Sequence, residues 1–471
     1  MPCPFVKIKR APVHSILGLV IGLILGLMPL ATMATVSERL LANGLKVIVK
    51  EDHRAPVAVA QVWYRAGSMD ESYGSTGVAH LLEHMMFKGT PKVPAGEFSK
   101  RIAALGGREN AFTSRDHTAY FQTLQAGHLE QAMALESDRM AHLTLAPEAF
   151  AKEIEVVKEE RRLRTDDNPH SRLYEQLMAL AYTEHPYRHP VIGWMNDLEN
   201  MTVADARQWY DRWYAPNNAV LVVAGDVQAD LVFAWAEKYY GVIPRRAIPF
   251  RKVLTEPEPP GGRHVVVRAP AKSSVAILAW PVPRLQKPAT DVEPYALEIL
   301  AGVLDGHGSA RLPQALVKTQ RVALDVDAGY DPVSRGPTQF VISLTSMEGR
   351  PLSDAVDALK RELQRLVTDG VSEAELARAK AQVVAGQVFQ QDSLFYQAMQ
   401  IGEWEVAGLS WRDRTVRFER LRAVTSDQLR AVAEKYLRDI RMTFAELDPL
   451  PMPLASPEGR PAAASGGAHV R

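Results

Sequence analysis

Residues 80–84 read His80-Leu81-Leu82-Glu83-His84, within the longer stretch Gly77-Val78-Ala79-His80-Leu81-Leu82-Glu83-His84-Met85-Met86-Phe87-Lys88-Gly89-Thr90. On a helix His80 and His84 are four residues apart and share a face, so their imidazoles can converge on one metal ion. Glu83 borders the same face, where a carboxylate can take a proton from a metal-held water. The flanking Val78, Ala79, Leu81, Leu82, Met85, Met86 and Phe87 supply an apolar surround, and Thr76 or Ser75 offers a helix cap. Thirteen histidines make a chance match to this spacing a real alternative. A catalytic zinc site needs a third protein ligand and one position open to water.

The segment Glu148 to Arg164 offers that ligand. It carries Glu153, Glu155, Glu159 and Glu160. Glu153 and Glu160 are seven apart and lie on one helical face, whereas Glu159 points about 100° away from Glu160. Periodicity alone reads this run equally as a solvated charged helix.

The text resembles the pitrilysin/insulinase family of zinc metallopeptidases, the inverted zincins, in its two-domain, processing-peptidase-like type. The likeness runs through residues 77–90, Gly106-Gly107, Asn110-Ala111-Phe112-Thr113 and Asp166-Asp167-Asn168-Pro169. It continues in His185-Pro186-Tyr187, Ile192-Gly193, Trp213-Tyr214-Ala215-Pro216-Asn217-Asn218 and Val222 to Val227. The resemblance implies one zinc ion per chain, held by His80, His84 and Glu160; Glu160 stands 76 residues after His84 and seven after Glu153. It implies Glu83 as general base on the zinc-held water and Glu153 as an outer-shell catalytic group orienting a ligand histidine or the water. Asn110, Ala111, Phe112 and Thr113 resemble the family's substrate-binding edge strand, to which a peptide adds by backbone pairing. The implied activity is hydrolysis of peptide bonds in unfolded peptides or small proteins. The other reading is a non-catalytic subunit acting in assembly or peptide binding. No Gly-x-Ser-x-Gly elbow and no P-loop compete with these readings, and His117, His128 and His142 read as surface or structural groups.

Working outward, the chain divides in two. Lys46 to Val49, Val57 to Tyr64, 118–124 and Ala219 to Ala224 read as strands; 76–87, 128–142 and 147–164 read as helices. After Glu256-Pro257-Glu258-Pro259-Pro260-Gly261-Gly262 the order repeats more faintly, with strands at Val265–Val267, Ser274–Trp280 and Phe340–Leu344 and helices at 292–304 and from Ser353 and Ser372. Residues 147–163 lie over 373–389, which sets Glu153 and Glu160 on Ala379 and Gly386. The expectation is an α+β fold of two related domains, each a mixed or antiparallel sheet packed with helices. The resemblance implies that together they form one half of a clam-like peptidase chamber. The expected boundaries are 1–34 (signal peptide), 35–250 (metal-bearing domain), 251–262 (linker), 263–448 (related inactive domain) and 449–471 (disordered tail).

The second half departs from the family pattern. Active relatives carry an Arg and a Tyr seven apart that hold substrate opposite the zinc. The matching stretch Leu316 to Leu324 has Val317 and Leu324 at those places, and neither side chain donates a hydrogen bond. Arg321 and Tyr330 are the conceivable stand-ins. The resemblance thus implies a dimer, either with a related zinc-less subunit that supplies the clamp or with a second copy of this chain.

Composition bounds the rest. The 471 residues carry 55 basic and 55 acidic side chains, 46% hydrophobic and 23% charged residues, an ordinary globular balance. Zero net charge argues against a nucleic-acid partner. One cysteine, Cys3, excludes a disulfide framework and a thiolate zinc site. Residues 1–34 read as an export signal: Lys7, Lys9 and Arg10, then an apolar run from Ile16 to Leu27, then Ala31-Thr32-Met33-Ala34. Cleavage after Ala34 leaves 437 residues of charge −3 and no thiol, suited to a periplasmic or otherwise exported location. An uncleaved segment would instead anchor the chain in the membrane, although the run falls short of the about 20 residues a span needs.

Overall fold

The computed structural model describes residues 36–452; the expected signal peptide and most of the expected tail lie outside them. Six strands, β1 (Val36–Leu40), β2 (Lys46–Glu51), β3 (Val57–Tyr64), β4 (Arg108–Thr113), β5 (Thr118–Gln125) and β6 (Ala219–Gly225), form one sheet in the order β1-β2-β6-β3-β5-β4. Five more, β7 (Arg263–Pro270), β8 (Val275–Val282), β9 (Ala323–Tyr330), β10 (Thr338–Ser346) and β11 (Thr443–Leu450), form a second in the order β7-β11-β8-β10-β9. Each sheet has one parallel pair, β2 with β6 and β7 with β11, and is otherwise antiparallel. The fold is α+β. Strand β11 runs through Pro449 and Leu450, so the last strand takes the first two residues of the expected tail.

The two sheets are laid out alike. Strands β7, β11, β8, β10 and β9 occupy the places of β2, β6, β3, β5 and β4, and β1 has no counterpart. The helices that bear on the site are α1 (Val78–Met85), α2 (Leu129–His142), α3 (Pro147–Arg161), α4 (Pro169–Ala181), α5 (Glu293–Asp305), α6 (Leu352–Asp369), α7 (Glu373–Gln390) and α8 (Leu394–Val406). The sequence overlay of 147–163 on 373–389 sets α3 against α7, and α4 and α8 follow them in turn.

Both faces of each sheet are buried. In β6 the residues Ala219, Leu221 and Val223 face one core, and Val220, Val222 and Ala224 the other, as the two-residue period of a strand requires. The first core is filled by helices of the same half. The second is closed by α8, which arrives from the other half with Ala398, Ile401 and Val406. Helix α4 repays the contact. Its fully buried Leu173 and Leu177 pack on Val275, Ile277 and Ala279 of β8 and on Ala445 and Leu447 of β11. Each buried leucine contributes about 1.5–3 kcal/mol by removal from water. The halves are therefore interlocked by an exchanged helix, and the sheet cores do not separate cleanly at 251–262. That segment itself is pinned to the first half: Glu256 accepts from the backbone N–H of Glu184 and His185 at 3.0 and 2.8 Å.

The seam is tight at Trp63, whose ring lies against Gly402 of α8; a Cβ there would stand 2.2 Å from the ring. Alanine is favoured over glycine inside a helix by about 1 kcal/mol, but overpacking a filled core costs about 1–3 kcal/mol. Gly402→Ala should therefore lower stability. Gly386→Ala on α7, where a Cβ meets nothing within 4 Å, should raise it by up to about 1 kcal/mol. Urea unfolding midpoints of the two variants are expected to move in opposite directions; movement in the same direction would contradict the packing described.

Candidate metal centre

Helix α1 begins at Gly77, which takes the left-handed φ of 90°. The expected Ser75 or Thr76 cap is not used. Instead the Glu71 carboxylate accepts from the N–H groups of Gly77 (2.9 Å) and Ala79 (2.8 Å). Asp197 holds the preceding turn through Thr76 N (3.1 Å) and Thr76 Oγ1 (2.6 Å). Burial pushes the Glu71 carboxyl up to about 8 against the two N–H groups that favour its charged form. Glycine is required at Gly77 by backbone approach as well as by φ, since a Cβ would lie 2.5 Å from the Ile192 carbonyl oxygen.

Helices α1 and α3 pack together and bring His80, His84 and Glu160 into one cluster, with one ligand atom from each lying within 4.8 Å of the others. Glu160 Oε2 is 3.8 Å from His80 Nε2 and 3.4 Å from His84 Nε2. The other carboxylate oxygen of Glu160 pairs with Arg164 at 2.6 Å. Glu153, two turns back on α3, accepts from His84 Nδ1 at 3.0 Å and pairs with Lys88 at 2.5 Å. Glu159 points away, to Arg162 at 3.0 Å. The three cluster side chains and Glu153 are largely buried.

These surroundings set the charges. Burial and then the neighbouring His84 depress His80 to about 4. Burial also opposes charge on His84, but Glu153 and Glu160 reverse this and raise it to about 9. Burial works to raise Glu160, and His84, His80 and Arg164 overcome it, holding the carboxylate at about 2. The donor set suits zinc. With Nδ1–H of His84 donated to Glu153, Nε2 faces a Glu160 oxygen at 3.4 Å, and a metal ion can take the place of the proton between them. A tetrahedral zinc with bonds of about 2.0–2.2 Å needs donors roughly 3.3–3.6 Å apart, close to the separations from Glu160 seen here.

Glu83, also on α1, accepts from Thr113 Oγ1 at 2.5 Å. Burial raises its pKa, opposed by that hydrogen bond and by His84. Thr113 ends β4, and β4 is the outermost strand of its sheet. Asn110 and Ala111 lie on the same strand, Ala111 buried, and Phe112 packs edge-on against Trp63 with ring centroids 5.4 Å apart. His117 is a buried structural group packed at a tilt against Trp63, ring centroids 4.8 Å apart, its pKa pushed down to about 3 by burial. In the second half Val317 packs into the core and Leu324 is exposed on β9. Tyr330 donates to the Pro283 carbonyl at 2.6 Å, so its hydroxyl is already engaged, and Arg321 sits exposed at φ 53°. Sequence reasoning missed three contacts. Arg164 was readable, four residues after Glu160 on the same helical run; Glu71 and the Thr113–Glu83 bond depend on tertiary contacts with no local signal.

Comparison with known proteins agrees with this arrangement. The family described as insulinase, peptidase family M16, matches residues 46–193, and the peptidase M16 inactive domain matches 200–383. The chain is 32% identical over 422 residues to "Zinc protease PqqE" of Helicobacter pylori, covering 87% of this chain and 92% of that one. It is 28% identical over 412 residues to an uncharacterized zinc protease of Mycobacterium leprae, covering 86% and 90%. Among solved structures, a protease from Helicobacter pylori superposes with a TM-score of 0.83 at 28% identity, covering 88% of this chain and all of that one. The periplasmic protease PqqL of Escherichia coli superposes at 0.76 with 20% identity, covering 88% of this chain and 48% of that one, a likeness of fold. Over both halves, this chain belongs to the insulinase family of peptidases, family M16.

Proposed function

We propose that the chain is a zinc-dependent endopeptidase acting on unfolded peptides or small proteins. The observation that carries the reading is the meeting of His80, His84 and Glu160 with Glu83, at the end of an outermost β-strand. Zinc, when bound, supplies a Lewis acid that polarises the scissile carbonyl and acidifies water.

The chain's own residues do the rest. His80, His84 and Glu160 hold the ion. Glu153 fixes the His84 tautomer so that Nε2 is free to ligate, and Lys88 balances the charge of Glu153. Arg164 holds one oxygen of Glu160 and leaves the other facing the histidines. Thr113 occupies Oε2 of Glu83, which leaves Oε1 to accept a proton from the attacking water and return it to the leaving amine as the C–N bond breaks. A peptide lying along β4 at Asn110, Ala111, Phe112 and Thr113 pairs through its backbone, which selects extended chain over particular side chains.

The missing clamp at Val317 and Leu324 supports a dimer, with either a related zinc-less subunit or a second copy facing the site. That this fold fills about half of a longer chain in PqqL supports the same view. Export rests on the signal-like residues 1–34. No helix among the described residues is long and apolar enough to cross a membrane. A purely non-catalytic role is disfavoured by the intact donor set.

Glu83→Gln should retain one zinc per chain while peptide turnover falls roughly 10²–10⁴-fold, the usual worth of a general base; retained turnover would falsify the base assignment. Glu160→Gln should weaken zinc binding, measured by competition with a chelating dye, far more than Glu159→Gln; the reverse order would move the ligand by one residue. Removing zinc by dialysis should lower the unfolding temperature, because a ligand bound only to the folded state stabilises it by about 2.7 kcal/mol at a hundred times its Kd. An unchanged transition would exclude a bound ion in the folded chain.

A further inference from the structure

The β4–β5 turn of the metal-bearing half meets its counterpart, the β9–β10 turn of the other half. Arg335 in that second turn reaches across. Its guanidinium forks onto Asp70, with Nη1 to Oδ2 at 2.7 Å and Nη2 to Oδ1 at 3.0 Å. Nη1 also donates to the Asp116 carbonyl at 2.6 Å, and the Arg335 backbone N–H donates to Asp116 Oδ2 at 2.9 Å. The Tyr187 hydroxyl donates to the other oxygen of Asp116 and accepts from Gly336 N–H at 2.8 Å. The Arg335 and Asp70 side chains are 11% and 4% exposed, so this forked pair is shielded from water.

Both anchors lead to the metal site. Asp70 adjoins Glu71, whose carboxylate holds the start of α1 through Gly77 and Ala79. Asp116 lies in the turn that follows Thr113, the donor to Glu83. The two segments are bonded to each other as well: Ser68 N–H donates to the Ser114 carbonyl at 3.1 Å and Met69 N–H to the Arg115 carbonyl at 3.0 Å. At Gly67 a Cβ would stand 2.6 Å from the backbone of residues 114, 115 and 117, so the segments pack main chain on main chain. Asp70 also accepts from Arg251 Nε at 2.7 Å, but Arg335 is the guanidinium that bonds both segments, the one leading to the helix bearing His80, Glu83 and His84 and the one following the strand bearing Thr113.

We propose that Arg335, in the half without metal ligands, is a positioning residue that sets Glu83 and the start of α1 against the substrate strand. Its catalytic arm rests on the peptidase reading above; its structural arm does not. A shift of about 1 Å at a reacting group costs on the order of 100-fold in rate, and the fork fixes both sides of that geometry.

The test uses the full zinc-loaded chain, a quenched fluorescent unstructured peptide, and hydrogen exchange read by mass spectrometry. In Arg335→Met the zinc content should stay at one per chain, kcat should fall roughly 10- to 100-fold and KM should hold within about threefold. Exchange should rise in segments 67–85 and 108–117 and stay level in β8. Arg335→Lys keeps the charge and loses the fork. It should recover part of kcat, and it decides the exchange question if Arg335→Met does not fold. Arg350→Met, which removes an exposed pair with Asp354 at 3.7 Å, serves as the control and should change nothing. Exchange confined to the 331–337 turn, or a rise in KM with kcat unchanged, would overturn the proposal. If the unaltered chain cleaves no peptide, the peptidase reading fails while the exchange result still decides the role of Arg335.

Discussion

Two sheets with two apolar faces each must be covered, and each half covers the outer face of the other half's sheet with one of its own helices. That constraint organises the molecule. Helix α8 closes the outer face of the first sheet through Ala398 and Ile401, and α4 closes that of the second through Leu173 and Leu177. The exchange holds the halves in one orientation, and that orientation brings the β9–β10 turn against the β4–β5 turn. The geometry around Glu83 thus depends on burial that takes place on the far side of the sheet.

The candidate metal site is built on a buried platform and assembled by charge. Apolar residues of α1 fix the helix under the sheet, and the polar residues facing α3 are left to find one another. Two of the three candidate ligands are held at their second atom: His84 by Glu153 and Glu160 by Arg164. Glu83 is held in the same way by Thr113, which comes from a strand. Candidate ligands on two packed helices and a carboxylate, Glu83, steadied by a strand make the site as rigid as the core beneath it.

Much of this was legible in the sequence, for physical reasons that differ by element. Strands β3 and β6 read clearly because both their faces are apolar, and the spacing of His80, His84, Glu153 and Glu160 follows helical geometry, as the packed helices display. The α+β class and the family followed from these same stretches. What stayed hidden depends on contacts distant in sequence. Residues 67–71 look like an ordinary loop, yet Asp70 and Glu71 face buried partners more than 200 residues away in one case and a helix start in the other. The exchanged helices were equally hidden, because an amphipathic pattern specifies an apolar face without saying which sheet it will cover. Thr113 was read as a residue of the substrate strand; its bond to Glu83 needs the fold.

The exchanged helix also sets a schedule for folding. The outer face of the first sheet, with Ile48, Val59, Trp63 and Val222, stays uncovered until residues 394–406 have been made. The second sheet gains β11, the strand that joins β7 to β8, only at 443–450. Most of the polypeptide must therefore be present before the outer face of the first sheet is sealed, and the contacts at that seam span 345 residues of sequence, as between Gln397 and Asp52. Such long-range closure slows folding. A chain built this way keeps an apolar sheet face uncovered for as long as its C-terminal segment is withheld.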